Sequence, residues 1–357
     1  MTEPHAPKPR PNAVFSGQTI LVTGGTGSFG GAFAKYLLQT DVGEIRIVSR
    51  DEAKQEMMRV AFADPRLRFF LGDVRDERSI DIAMKGVNYV FHAAALKQVP
   101  ACELFPDQAV MTNVMGSRNV IDSAIRHGIR RLVSISTDKA VYPVNAMGMS
   151  KALMEKQVQA RARTLTDDDT VLAVVRYGNV IASRGSVVPV FLEQMKTGQP
   201  LTITAPEMTR FLLTLDDAIA LIEFALLHAK QGDIFVRKSP ASTVADLATA
   251  MVAMFGYAGG QRTIGVRPGE KLHETLCTAN ELASAEEFPD YFRVAMDART
   301  IDSDPLIRGK RPSLNGTDYS SDTARQLPVG DIQAVLESLS VVQDALTASR
   351  ARSLSAS

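Results

Sequence analysis

The chain has 357 residues, 45% of them apolar, which is enough for a large buried core. Its 40 Lys and Arg balance its 40 Asp and Glu, so neither nucleic-acid binding nor a membrane-surface role is expected. Cys102 and Cys277 stand far apart without metal-ligand spacing and read as ordinary thiols of a reducing compartment.

The opening MTEPHAPKPRPN is polar and Pro-rich, with no apolar stretch of a secretory signal, and residues 1–16 read as a disordered lead-in. No apolar run is long enough to span a bilayer, so a cytoplasmic protein without membrane insertion is expected. Strand and helix patterns then alternate. QTILVTG is a strand and GAFAKYLLQ a helix; EIRIVSR, RFFLGDV, NYVFHAAA, RRLVSIST and TVLAVVRYGNV follow as strands with helical segments between them. This order predicts an α/β chain with a Rossmann-type, doubly wound parallel sheet. After Ile181 the pattern changes to mixed helices and short strands, as in STVADLATAMVAMFG. Residues 181–340 therefore read as mainly a smaller mixed α/β substrate lobe, some of whose segments return to the first domain, and 341–357 as a flexible tail.

TGGTGSFG follows the first strand and opens the first helix. Gly24 can make the tight turn, Gly27 admits a pyrophosphate to the backbone, and Gly30 permits close packing. The anion then meets the free N–H groups of a helix N-terminus, and Thr26, Ser28 and Phe29 join the contacts. Residues 17–180 are accordingly a dinucleotide-binding domain. The second strand ends at Ser49-Arg50-Asp51, with Lys54 one turn on. A ribose-binding carboxylate is absent from the strand end, and Arg50 and Lys54 suit a 2′-phosphate, which favours NADP, while Asp51 keeps NAD in play. Asp73 and Val74 are placed for the adenine. Ala93, Ala94 and Ala95 let backbone lie against the cofactor, and His92 reads as structural.

Ser136-Thr137-Asp138-Lys139 ends the fifth strand, on the side where open α/β sheets bind ligands. A hydroxyl, a carboxylate and an amine together can orient an alcohol, donate a proton and accept one. Lys151 follows twelve residues later. The dehydrogenase signature Tyr-x-x-x-Lys would put a phenol at position 147, but Met147 stands there and cannot titrate. Tyr142 does not restore the spacing.

In this order GGTGSFG, SRDEAKQ, LGDVRD, HAAALKQVP, STDKAVYPVNAMGMSK, RYGNVIASRGSVVP, MTRFLLTL and RPGEKLHE resemble the UDP-N-acetylglucosamine 4,6-dehydratases, from Gly17 to Leu336. The likeness is nearest to the soluble inverting dehydratase/5-epimerases of capsule and O-antigen synthesis, which also carry Met in place of Tyr. These belong to the extended short-chain dehydrogenase/reductase superfamily. The resemblance implies a homo-oligomer, a dimer or hexamer, acting on UDP-N-acetylglucosamine with NADP. It implies that Lys139 removes the C5 proton, which requires a neutral amine and so a lowered pKa. Asp138 would protonate the departing C6 hydroxyl, Thr137 bond the C4 oxygen and Lys151 hold the nicotinamide ribose. The C4 hydroxyl proton would leave through Asp138 or an ordered water. Lys97, Asn113 and Tyr177 are further cofactor contacts on the same grounds. Asn179, Ser183, Arg184, Ser186 and Val187 form a polar turn ahead of a helix that can take a diphosphate. Arg210, Arg267 and Glu270 are candidates for the nucleotide, and Lys97, Glu103 and Met147 for the sugar. A nucleotide-sugar 4-epimerase and a cofactor-binding regulator without catalysis are the competing expectations.

Overall fold

The computed structural model describes residues 13–356 apart from 167, 184 and 298–315. Strands β1 (Thr19–Thr23), β2 (Glu44–Ser49), β3 (Leu67–Leu71), β4 (Tyr89–His92), β5 (Arg131–Ile135) and β6 (Val171–Arg176) come first. Between them lie helices α1 (Ser28–Leu37), α2 (Glu52–Phe62), α3 (Glu77–Met84), α4 (Val99–Leu104), α5 (Pro106–Ala109), α6 (Gly116–Arg126) and α7 (Ala146–Ala162). The second half adds α8 (Val187–Lys196), β7 (Leu201–Ile203), β8 (Thr209–Phe211), α9 (Leu215–His228), β9 (Ile234–Arg237), β10 (Ala241–Thr243) and α10 (Val244–Phe255). It continues with β11 (Gln261–Thr263), β12 (Thr275–Cys277), α11 (Ala279–Leu282), β13 (Ala285–Glu287), β14 (Tyr291–Val294) and β15 (Tyr319–Ser320), then the helices Val329–Glu337 and Ser340–Ala356.

The main sheet has the order β13-β14-β9-β6-β5-β4-β1-β2-β3. From β3 to β9 neighbouring strands run parallel, and β14 and β13 close one edge antiparallel. Ile20, Leu21 and Val22 of β1 are wholly buried, as helices on both faces of a parallel sheet require. The α/β, doubly wound Rossmann-type reading therefore holds. The strand order reverses between β1 and β4, so their carboxyl ends open the crevice in which such sheets bind ligands. A separate apolar core joins Ile181, Phe191, Leu201, Leu247, Ile332 and Val342 beyond those strand ends. Phe29 and Tyr177, packed with the core on one face of the main sheet, line one groove together with Ile181 and Ala182 of this second core.

Three sequence expectations change. The lead-in is ordered by its end: Ala13–Phe15 forms a 3-10 turn and Phe15 is buried, its ring 5.8 Å from that of Tyr89. The tail expected to be flexible is helical over Ser340–Ala356, because Val342 fills the second core. The sixth strand stops at Arg176 rather than running on to Val180. Gly178 lies against the Phe211 ring, and the Tyr177 carbonyl accepts from the Asp138 N–H, so the last residues of that run turn into the groove. No helix among the described residues is long and apolar enough to cross a membrane.

Candidate active site

The glycine loop is shaped by contacts that a side chain would block. Gly24 has φ +65°, and a Cβ there would lie 2.8 Å from the Cα of Ala94. A Cβ on Gly30 would lie 2.6 Å from the Cα of Gly25 and 2.7 Å from the Gly24 carbonyl oxygen. Gly27 begins α1 without any side chain capping it, so the first N–H groups of the helix are left for an anion. Ser28 and Phe29 line the groove beside Ala93 and Ala95. This cradle of free N–H groups and missing side chains fits a dinucleotide diphosphate.

At the end of β2, Asp51 caps α2. Its carboxylate accepts from the Lys54 N–H at 3.0 Å and from Lys54 Nζ at 2.5 Å. Lys54 and Asp51 are therefore spent on each other. The Ser49 hydroxyl accepts from Gln55 Nε2 at 3.1 Å. Arg50 stays half exposed, 3.6 Å from the Asp73 carboxylate that Arg75 also holds. Val74 is buried beneath α6 and packs against the position of Gly116. His92 is structural, as expected. It is fully buried, with one ring nitrogen on Thr23 and the other on Ser117, and burial helped by the Lys151 charge pushes its pKa down to about 3.

The chemical residues meet where β5 and β6 end. The groove between the two cores has a volume of about 530 Å³, with Thr137, Lys139, Met147 and Lys151 in its wall. Asp138 is fully buried in the short turn after β5. Its Oδ1 accepts from the Thr137 hydroxyl at 2.8 Å and from Lys139 Nζ at 2.9 Å, while its Oδ2 has no hydrogen-bond partner among the described residues. Lys139 Nζ also reaches Glu274 Oε1 at 3.2 Å and Asn179 Oδ1 at 3.4 Å. Burial by itself would lower the Lys139 pKa, but Asp138 and Glu274 outweigh it and hold the ammonium above the ordinary lysine value, against a weaker opposing push from Arg210. This corrects the expectation of a lowered pKa: in the resting site Lys139 is a cation between two carboxylates.

Lys151 is buried on α7, one turn after Met147, and donates to the Ile135 carbonyl at 2.8 Å. Burial pushes its pKa down to about 8, with Glu155 opposing. Among the described residues no tyrosine takes the place of the missing phenol. Tyr142 is exposed, and burial with the nearby Asp318 and Glu281 carboxylates raises its pKa. Tyr177 lines the groove stacked on Phe29, but burial pushes its phenol well up. Met147 instead packs on Cys102 and Ala109 and presents an apolar floor.

Lys97, Asn179, Ser183, Ser186, Arg267 and Glu270 also line the groove. A smaller adjoining recess of about 210 Å³ is lined by Val187, Met208, Thr243 and Leu247, together with Arg210. The Ser186 hydroxyl is buried with no partner among the described residues at the uncapped start of α8, a second helix N-terminus open to an anion. Arg210 is braced by the carbonyls of Thr209, Lys271 and Leu272, and Arg267 pairs loosely with Glu270 at 3.9 Å. Arg184 lies outside the described residues.

Two expected contacts sit elsewhere. Asn113 is fully buried, its amide spent on both backbone groups of Leu96 and on the Ser150 hydroxyl, so it fixes the loop after β4 rather than facing the cofactor. Glu103 accepts from the Ala146 N–H at 2.6 Å and supports the start of α7, away from the groove. Conversely, Glu274 belongs to the site although only its place at the end of the RPGEKLHE motif signals it, and no residue type or spacing singles it out there. Arg267 and Glu270 were picked out of RPGEKLHE as charges for the nucleotide, whereas the role of Glu274 shows only because the fold brings it within 3.2 Å of a residue 135 positions earlier, Lys139.

The profile of the family described as "Polysaccharide biosynthesis protein" matches residues 20–296. A Rickettsia canadensis protein named UDP-glucose 4-epimerase is 50% identical over 338 residues, covering 93% of this chain and 99% of that one. The solved structure of Pen from Bacillus thuringiensis superposes with a TM-score of 0.82 at 32% identity, covering 91% of this chain and 99% of Pen. The dTDP-glucose 4,6-dehydratase DesIV of Streptomyces venezuelae, solved with NAD and TYD bound, shares the fold at a TM-score of 0.65 and 24% identity, over 71% of this chain and 87% of its own. The name of the Rickettsia relative is thus that of the epimerase alternative, while the fold is common to epimerases and dehydratases. The chain belongs to the polysaccharide biosynthesis protein family, as an enzyme of the nucleotide-sugar dehydratase/epimerase kind on a Rossmann-type scaffold.

Proposed function

We propose that the chain is a UDP-N-acetylglucosamine 4,6-dehydratase that inverts C5, yielding UDP-2-acetamido-2,6-dideoxy-β-L-arabino-hex-4-ulose for capsule or O-antigen synthesis. The observation that carries this reading is the pairing of Met147, where an epimerase needs a phenol, with a bonded hydroxyl–carboxylate–ammonium set beside it. When bound, the nicotinamide supplies a hydride acceptor for C4 and a donor for C6. Thr137 bonds the C4 hydroxyl and relays its proton along the 2.8 Å contact to Asp138. Asp138, now an acid, gives that proton to the C6 hydroxyl, which leaves as water. Lys139 removes the C5 proton made acidic by the C4 ketone, and the electron pair from that C–H bond expels the C6 oxygen. C5 is reprotonated by a solvent-derived proton from the face opposite Lys139, which gives the L-sugar. Each transfer spans a contact already formed or one to the bound sugar.

NADP is the cofactor in this reading. Support comes from Asp51, whose carboxylate is spent on Lys54 rather than offered to a ribose, and from Arg50, exposed and able to swing onto a 2′-phosphate. Arg50→Ala is expected to weaken NADP by roughly tenfold, the scale of one charge-assisted contact, and leave NAD unchanged. Equal losses for the two cofactors in fluorescence titrations would remove Arg50 from that role. The second helix N-terminus, the Ser186 hydroxyl and Arg267 suit the UDP diphosphate.

A UDP-sugar 4-epimerase is the second reading, favoured by the names of relatives 48–50% identical. One experiment separates them. The holoenzyme is incubated with UDP-N-acetylglucosamine in deuterated water and the product read by NMR. The expected product is a 4-keto-6-deoxy sugar with deuterium at C5 and ring couplings of the L-configuration. UDP-N-acetylgalactosamine as sole product, or conversion of UDP-glucose alone, would overturn the dehydratase reading.

A further inference from the structure

Lys139 can remove a proton only after losing its own, and the resting site holds it as a cation. We propose that Glu274 is the acceptor of that proton, a positioning residue that turns Lys139 into a free base while Asp138 is occupied as the acid. This rests on the dehydratase reading.

Glu274 is 2% exposed, and its backbone is clamped on both sides by Ser321: its N–H donates to the Ser321 hydroxyl at 2.9 Å, and its carbonyl accepts from the Ser321 N–H at 2.7 Å. The carboxylate therefore has little freedom. One oxygen sits 3.2 Å from Lys139 Nζ, and the other is buried with no hydrogen-bond partner among the described residues. No side chain or backbone donor among the described residues has to move aside for that oxygen to take a hydrogen. A proton on that oxygen would satisfy it.

The other charged groups leave this role open. Lys271 comes within 3.9 Å of that oxygen but is engaged by the Val141 carbonyl at 2.6 Å. Arg210 is tied to backbone carbonyls, His273 bonds Thr209, and Asn179 has no ionisable proton. Asp138 carries the C4 hydroxyl proton in the proposed cycle, so it cannot also take that of Lys139. Moving one proton from the Lys139 ammonium to the Glu274 carboxylate gives a neutral amine and a neutral acid with no change in net charge. Releasing the same proton to water would leave a buried carboxylate unpaired, which is far more costly. The amine then forms its bond to the C5 proton, the C5–H electron pair becomes the C4–C5 enolate, and the C6–O bond breaks with the proton from Asp138. Holding the C5 proton, Lys139 is again a cation; a solvent-derived proton reaches C5 from the opposite face, and Glu274 gives its proton back to solvent, which restores the starting charges.

Glu274→Gln keeps the shape and an acceptor for Lys139 but cannot take a proton. With NADP bound and UDP-N-acetylglucosamine as substrate, it is expected to lower kcat about 100-fold or more with KM little changed, the scale of losing a base. Reduced cofactor should accumulate in a single turnover, because C4 oxidation proceeds and C5 deprotonation stalls. Its rate should climb with pH as Lys139 loses its proton to solvent, whereas the native profile is flatter. Glu274→Asp, which keeps a proton acceptor one methylene away, should recover part of kcat and the native pH profile, and it also serves if the Gln variant does not fold. Native kcat and pH profile in Glu274→Gln, or in a folded Glu274→Asp no better than Gln, would overturn the proposal. If native enzyme oxidises C4 but forms no 4-keto-6-deoxy product, the dehydratase reading fails first, independently of Glu274.

Discussion

Lys139→Arg is expected to abolish release of water, by about 10²–10⁴-fold in kcat, while NADP binding and folding are retained. Guanidinium is always charged, so it can keep the contacts to Asp138 and Glu274 that the ammonium makes at 2.9 and 3.2 Å, but it cannot give up a proton. Lys139→Ala should lose activity as completely and, in addition, lose stability, because two carboxylates are then left facing one another, Asp138 wholly buried and Glu274 2% exposed. Comparing the two variants separates chemistry from packing. Denaturant melts should place the arginine protein near native and the alanine protein clearly below it. C5 deuteration from heavy water should vanish in both. An arginine variant that still exchanges C5 would show that another group is the base.

Gly30→Ala is expected to destabilise the protein by about 1–3 kcal/mol and to cut dinucleotide affinity roughly tenfold or more. The added methyl would sit 2.6 Å from the Gly25 Cα and 2.7 Å from the Gly24 carbonyl oxygen. Both obstacles are backbone, so the loop itself must move. That displacement reaches Gly24, whose own close approach to Ala94 sets the distance between the loop and the end of β4. Gly31→Ala is the control: its Cβ would lie 3.7 Å from the nearest atom, an ordinary contact, and should change little. Calorimetric titration with NADP and urea unfolding check both. Equal behaviour of the two variants would mean that the tight spot at residue 30 relaxes freely.

These two sites differ in how far they could be read along the chain. The cofactor end is local. Strand, glycine turn and helix are consecutive, and the spacing of glycines 24, 27 and 30 follows from backbone sterics within eight residues. The doubly wound sheet was legible for a similar reason, since parallel strands buried on both faces write themselves as apolar runs. Ser49-Arg50-Asp51 was only half legible: the residue types were plain, but the capture of Lys54 by Asp51 is a helix-cap geometry that leaves Arg50 the more available cation. Asn113 was expected at the cofactor through the resemblance, and Glu103 at the sugar as a charge following the fourth strand. Packing turned one inward onto Leu96 and the other onto the start of α7.

By itself, the amino-acid sequence determined the class of fold, the dinucleotide loop, the Thr137-Asp138-Lys139 run at a strand end and the absence of a phenol at Met147. These are statements about residue type at short spacing, where covalent geometry limits what the chain can do. Only the tertiary structure decided the ionisation of Lys139, because pKa values answer to charges within a few ångströms, and the decisive carboxylate arrives from 135 residues away. It also decided that Tyr142 and Tyr177 do not replace the missing phenol and that Ser340–Ala356 is a helix rather than a loose end. Burial and long-range contact settle such questions, and neither is a property of any short stretch of sequence.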